Sequence, residues 1–233
     1  MNEELQRIVP RTAVVIPAYN AARHLETVVD DTARFVPRSQ IVVVDDGSSD
    51  DTYHCASRAG VVVEQHQENR GKGAALATGM TKATEMGMDF IVTLDADGQH
   101  NPEDIPRFLK HEIETNADII IGNRMAERQN MPAIRVFANR ATSWFVTLRT
   151  GVPVPDSQNG YRLFRVEMFK KLAPRLKAVK YDAESEILIK AAKAGAKIES
   201  ISVETIYGTE KSSVNPVIDT LRFLRMAFKS LFW

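Results

Sequence analysis

Phe90-Ile91-Val92-Thr93-Leu94-Asp95-Ala96-Asp97-Gly98-Gln99-His100 is the stretch whose reading decides the fold. An apolar, β-branched run stops abruptly on two carboxylates one residue apart, then a glycine and an amide. Such a run reads as a buried strand, and in an open α/β sheet ligands bind beyond the carboxyl ends of the strands. Extended chain alternates its side chains, so Asp95 and Asp97 are expected to face the same way if strand geometry persists, with Gln99 next in step. Hard oxygen donors at that spacing suit a hydrated Mg²⁺ or Mn²⁺ shared with a substrate diphosphate. The same residues also suit a polar turn that caps a helix beginning at Pro102.

Working outward, strand and helix alternate. Residues 12–16 read as a first strand, stopped by Pro17-Ala18-Tyr19-Asn20, and the helix after it carries Leu25, Val28, Val29 and Thr32 on one face. Residues 41–44 form a continuous apolar run of the kind parallel sheets use. That run ends on Asp45-Asp46-Gly47-Ser48-Ser49-Asp50, where Ser49 or Asp50 can cap the next helix. Residues 61–63 are a third strand, and Asn69-Arg70-Gly71-Lys72-Gly73 opens a helix from Ala74 to about Met86. Another helix starts at Pro102, and residues 117–121 are a fifth strand, closed by Gly122-Asn123-Arg124. This alternation predicts an α/β domain with a mainly parallel sheet and helices on both faces. Beyond Arg124 it breaks into a helix over 128–150, a strand over 161–164, a helix over 182–194 and a strand over 197–207. A polar loop over 208–215 then leads to a final amphipathic helix at 216–233. No linker interrupts 1–215, which is read as one domain.

Composition narrows the classes. Lys+Arg and Asp+Glu are both 30 in 233 residues, so no global basic field argues for nucleic acid. The single cysteine, Cys55, cannot form an internal disulfide and is read as packing in a reducing compartment. The N-terminus lacks an apolar signal-peptide core, and no stretch reaches the roughly 18 apolar residues of a membrane span. The expectation is a soluble, cytoplasmic chain. The five histidines lack metal-ligand spacing; only His100, next to the carboxylates, is placed to support them.

Pro17-Ala18-Tyr19-Asn20, Val44-Asp45-Asp46-Gly47-Ser48, Asn69-Arg70-Gly71-Lys72-Gly73, Asp95-Ala96-Asp97-Gly98-Gln99, Asp156-Ser157-Gln158-Asn159-Gly160-Tyr161-Arg162 and Tyr207-Gly208-Thr209-Glu210-Lys211-Ser212 stand in a telling order. Together they resemble family 2 glycosyltransferases of the GT-A fold, above all the dolichol-phosphate mannosyltransferase and polyprenyl-phosphate glycosyltransferase branch. The resemblance covers about residues 12–215. It implies a nucleotide-sugar half at about 12–124 and an acceptor half at about 125–215. It further implies an inverting, Mg²⁺- or Mn²⁺-dependent enzyme that moves a sugar from GDP-mannose or UDP-glucose to a polyprenyl phosphate. In that reading Pro17, Tyr19, Val44, Asp46, Asp95 and Ala96 line the nucleotide site, and Lys211 closes over the diphosphate. Asp97 and Gln99 ligate the metal, while Arg124, Arg135 and Asn139 take the acceptor phosphate. The catalytic set is then Asp95, Asp97, Arg124 and Arg135. The sequence departs from the branch at Ala21 and Thr205, which bears on the donor nucleotide more than on the reaction.

Other readings stand beside this one. Asp45 and Asp46 suit an Asx-turn or a helix cap, and Gly71 and Gly73 a tight turn packing a helix on the sheet. Asp156 suits either a general base, as a hydroxyl acceptor would require, or a residue that orients its loop. Glu184 is read as orienting a loop or pairing with Arg162. The final helix mixes Arg222, Arg225 and Lys229 with Phe223, Phe228, Phe232 and Trp233, which suits packing, a homo-oligomer contact, or the inner face of a membrane. A nucleotidyltransferase and a silent nucleotide-binding partner of a membrane complex complete the alternatives.

Overall fold

A computed structural model describes residues 3–125, 133–176, 183–204 and 206. In chain order it contains α1 (Glu3–Ile8), β1 (Thr12–Ala18), α2 (Ala22–Thr32), β2 (Ile41–Asp45), α3 (Thr52–Arg58), β3 (Val62–Gln65), α4 (Lys72–Glu85) and β4 (Phe90–Thr93). Then come α5 (Ile105–Thr115), β5 (Ile119–Asn123), α6 (Ala133–Thr150), β6 (Arg162–Arg165), α7 (Val166–Leu172), α8 (Ala183–Lys193) and β7 (Ile198–Ser202). The strands make one sheet in the order β3-β2-β1-β4-β6-β5-β7, so the stretch that opened the reading supplies the middle strand.

Both faces of the sheet are covered, which is why β1, β2, β4 and β5 carry continuous apolar runs. Ala13, Val15, Val42, Val44 and Ile91 face the side packed by α4, α6, α7 and α8. Val14, Ile16, Val43 and Val92 face the side packed by α2, α3 and α5.

β6 is the exception in the sheet. It runs antiparallel to β4 and β5, with Thr93 opposite Arg162. A strand entering in that sense starts where the parallel strands end. The loop before it, with Asp156 to Tyr161, is thereby delivered to the carboxyl edge beside Asp95, and the Thr93 hydroxyl donates to the Gly160 carbonyl at 2.6 Å.

Several expectations shift. α7 follows β6 without a break, too short to show a helical period. The last strand is five residues, Ile198–Ser202, rather than a run to Tyr207. The expected helix at 128–150 is described from Ala133. The C-terminal helix at 216–233 and Lys211 lie outside the described residues, as does the end of the second half at 207–215.

Candidate active site

The loops at the carboxyl edge are tied to one another before any ligand is considered. Asn20 takes a left-handed backbone (φ 50°), which asparagine tolerates. Its amide oxygen accepts from the Ser49 N–H at 2.9 Å, and its own N–H donates to the Ser48 hydroxyl at 2.9 Å. Asp45 accepts from the Ser48 N–H at 3.1 Å, an Asx-type turn, and from the Gln65 amide at 3.0 Å. Asp46 is buried and accepts from the N–H groups of Arg70 (3.0 Å) and Gly71 (2.7 Å). His66 Nδ1 lies 2.6 Å from Asp46, and its Nε2 lies 2.9 Å from the Thr78 hydroxyl. Asp46 therefore anchors the Asn69–Gly73 turn from below. Gly47 lies under the same turn, where a Cβ would stand 2.5 Å from the Glu68 carbonyl carbon.

What the anchored turn presents is Lys72. Its ammonium lies 2.7 and 3.0 Å from the two oxygens of Asp95, and 2.9 Å from Glu184 Oε1 at the start of α8. Burial alone raises the Asp95 carboxyl, but the charges of Lys72 and His100 outweigh it and hold it down at about 2. The same carboxylates push Lys72 well above the ordinary lysine value against the effect of its burial. The Asp95 N–H donates to His100 Nδ1 at 3.0 Å, and the His100 ring stacks on Tyr161 at 5.0 Å. His100 thus fixes the strand end; burial lowers its pKa.

Asp97 departs from the expected alternation. β4 ends at Thr93, and the chain turns at Ala96–Asp97, just before Gly98 with its φ of +74°. Asp97 is exposed, accepts from the Gln99 N–H at 3.0 Å, and with Gln99 and His100 borders a cavity of about 270 Å³ that excludes Asp95. The helix cap offered as the alternative reading belongs instead to Asn101, which accepts from the Glu103 N–H at 3.1 Å. Among the described residues no three His, Cys, Asp or Glu side chains cluster to hold a metal unaided. Two oxygen donors bordering one open cavity fit an ion such as Mg²⁺, which keeps water and substrate phosphate in most of its positions.

On the far side, Asp156 is fully buried and saturated. Arg124 reaches it through Nε (2.7 Å), Nη2 (2.9 Å) and its backbone N–H (3.2 Å), and the Asn139 amide adds a bond at 2.7 Å. Burial works against both charges, and their pairing overcomes it: Arg124 is raised and Asp156 lowered. Arg162, also buried, pairs with neither Asp156 nor Glu184. Its guanidinium donates to the carbonyls of Asn159 (2.8 Å), Ser157 (2.7 Å) and Glu184 (2.8 Å), stitching the β6 loop to α8.

The remaining expected residues scatter. Pro17 is half-buried and Tyr19 is 52% exposed at the end of β1. Val44 and Ala96 are buried in the two cores, not on an open surface. Arg135 falls within α6, four residues before Asn139. The role of Lys72 has no local signal in the sequence, because its partners are 23 and 112 residues away. The reading of Glu184 as a partner of Arg162 is corrected: its carboxylate faces Lys72, and only its carbonyl meets Arg162.

A sheet with this order, an acidic motif on its middle strand and a second constellation carried in by an antiparallel strand define a sugar transferase of the GT-A fold. The Glycosyl transferase family 2 model matches residues 13–173, and the chain belongs to that family. A UDP-N-acetylglucosamine–dolichyl-phosphate N-acetylglucosaminyltransferase of Methanococcus voltae is 34% identical over 214 residues, covering 83% of this chain and 85% of the relative. An undecaprenyl-phosphate mannosyltransferase of Micrococcus luteus is 30% identical over 202 residues, covering 83% and 82%. Among solved structures, glucosyl-3-phosphoglycerate synthase from Mycobacterium tuberculosis, in complex with Mn²⁺, UDP and phosphoglyceric acid, superposes with a TM-score of 0.73. That match covers 98% of this chain and 80% of the other at 21% identity, a likeness of fold. The protein is a transferase enzyme.

Proposed function

We propose that this enzyme transfers a sugar, with inversion at the anomeric carbon, from a nucleoside diphosphate sugar to a polyprenyl phosphate. The observation that carries the acceptor class is the state of two carboxylates. Asp95 is held ionised at about 2, and Asp156 is buried with its oxygens taken by Arg124 and Asn139. A hydroxyl acceptor needs a base with a pKa near the working pH, and neither group meets that need. A phosphate acceptor is already anionic at neutral pH, so the protein's task is alignment and charge stabilisation.

Each residue then has a task. Tyr19 and Pro17 offer the open face for the nucleoside, and Asp46 holds the Asn69–Gly73 turn beside it. Asp97 and Gln99 would hold a divalent ion, which when bound offsets charge gathering on the departing diphosphate. Arg124, fixed by Asp156, turns its remaining N–H groups to the acceptor phosphate, and Asn139 of α6 holds Asp156 in place for it; the family resemblance adds Arg135 for the acceptor phosphate and Lys211 for the donor diphosphate. GDP-mannose and UDP-glucose are the first donors to test, and the Methanococcus relative adds UDP-N-acetylglucosamine.

A lipid acceptor brings the enzyme to a membrane surface. Among the described residues no helix is long and apolar enough to cross a membrane. α6 instead turns Phe137, Trp144 and Leu148 outward, spaced seven and four residues apart and hence on one stripe, beside exposed Arg140. An aromatic, apolar and basic face of this kind suits the headgroup boundary.

The test is product analysis with a panel of GDP- and UDP-sugars, Mn²⁺, and a short-chain polyprenyl phosphate against the matching polyprenol. A glycosyl phosphate of inverted configuration is expected. Retention of configuration, or transfer to the alcohol alone, overturns the reading.

A further inference from the structure

Two halves of the chain meet on a single ammonium group. Lys72 is the first residue of α4, and Glu184 lies in the first turn of α8, 112 positions later. Between them, Nζ of Lys72 touches both oxygens of Asp95 and Oε1 of Glu184, all within 3.0 Å. Lys72 is 20% exposed and Glu184 7%, so water screens these contacts little. The backbone just before Lys72 is pinned from below by Asp46, itself braced by His66, whose other ring nitrogen is held by Thr78. Gly160 closes the space in front: a Cβ there would stand 2.8 Å from Nζ and 3.1 Å from each Asp95 oxygen.

A lysine ammonium is a point charge on a flexible four-carbon stem, with three donors free to rotate. One carboxylate partner leaves such a stem free to swing about it. A second carboxylate on another side removes that freedom, and with it the freedom of the first carboxylate to turn. We propose that Glu184 is a positioning residue for sugar transfer, holding the Lys72 ammonium against Asp95 and so fixing the orientation in which Asp95 meets the donor. This rests on the transferase reading above, with Asp95 on the donor side. It adds that the seat of α8, in the acceptor half, governs a donor-side group.

The experiment uses the full chain with Glu184→Gln, Lys72→Met and the double variant. Glu184→Gln keeps size and removes charge, so kcat for donor turnover is expected to fall about ten- to a hundredfold, the value of one charge-assisted hydrogen bond, with donor KM little changed. Because Glu184 acts through Lys72, adding Glu184→Gln to Lys72→Met costs nothing further. A merely structural ion pair predicts an unchanged kcat in the folded variant, and losses that multiply in the double variant mean that Glu184 acts other than through Lys72; either result overturns the proposal. Acetylation of Lys72 by acetic anhydride, read by peptide mass spectrometry, supplies a readout apart from activity. It should rise severalfold in Glu184→Gln while other lysines keep their rates, and an unchanged rate at Lys72 overturns the contact. A chain that turns over no donor sugar removes the transferase reading and this one together; an active chain with multiplying losses removes this one alone.

Discussion

Asp156→Asn probes the ion pair on which the acceptor side rests. The native carboxylate is fully buried and takes four hydrogen bonds, three from Arg124 and one from Asn139. The amide keeps the shape but carries no charge, and its NH₂ must face donors on Arg124 or Asn139. Arg124, with its side chain only 20% exposed, is left as a buried cation without its counter-ion. Breaking a buried pair by removing one partner costs about 3–5 kcal/mol. At about 2–4 °C per kcal/mol for a chain of this size, Tm should fall by about 6–20 °C. Acid behaviour gives an independent check. The Asp156 carboxyl is held below its ordinary value, since Arg124 and then Asn139 outweigh the effect of burial. Stability from a depressed acid is fully present above the unfolded pKa, about 3.9, and is lost as pH falls through the folded one. The native chain should therefore lose stability below about pH 4, and Asp156→Asn should show a shallower acid limb. The assay is thermal melting from pH 3 to 7, with transfer to lipid phosphate measured in parallel. A loss under about 1 kcal/mol with an unchanged acid limb would refute the buried pair. Abolished transfer in a variant of native stability would instead mark Asp156 as a base and restore the hydroxyl acceptor.

Three further outcomes are expected. Asp97→Ala should leave Tm within a few degrees, because Asp97 is exposed, yet abolish the dependence of turnover on Mn²⁺ or Mg²⁺; metal-dependent turnover at the native level would remove Asp97 from the metal site. Gly160→Ala must displace Lys72 or Asp95 and should cost about 1–3 kcal/mol as overpacking, together with most donor turnover; a fully active Gly160→Ala would show that the Lys72–Asp95 contact is dispensable. Trp144→Asp with Leu148→Asp should release the protein from anionic vesicles without slowing donor hydrolysis in solution; sedimentation equal to the native chain would exclude α6 as the membrane face.

The parallel sheet was legible in the sequence because burial on both faces forces continuous apolar runs, and each run here ends on a polar or turn-forming stretch. Local chemistry of that kind fixed the strands from Thr12 to Asn123, the turn motifs between them and the acidic stretch after Thr93. The direction of β6 and its place between β4 and β5 are a matter of tertiary pairing, and four residues carry no signal of sense. That pairing decides that Asp156 and Gly160 reach the edge where Asp95 stands. Alternation in an extended strand predicted that Asp95 and Asp97 share a face; the strand ends at Thr93 and the chain turns at Ala96–Asp97, which sends one to Lys72 and the other to an open cavity. Charge says how many carboxylates a chain has, but not which are free. Asp46 binds the turn after β3, Asp156 binds Arg124, and Glu184 binds Lys72, each across at least 24 residues of sequence. Such partners are chosen by the packing of helices on the sheet. Only the folded chain, which removes water from these groups and leaves them one another, determines which acids remain for catalysis.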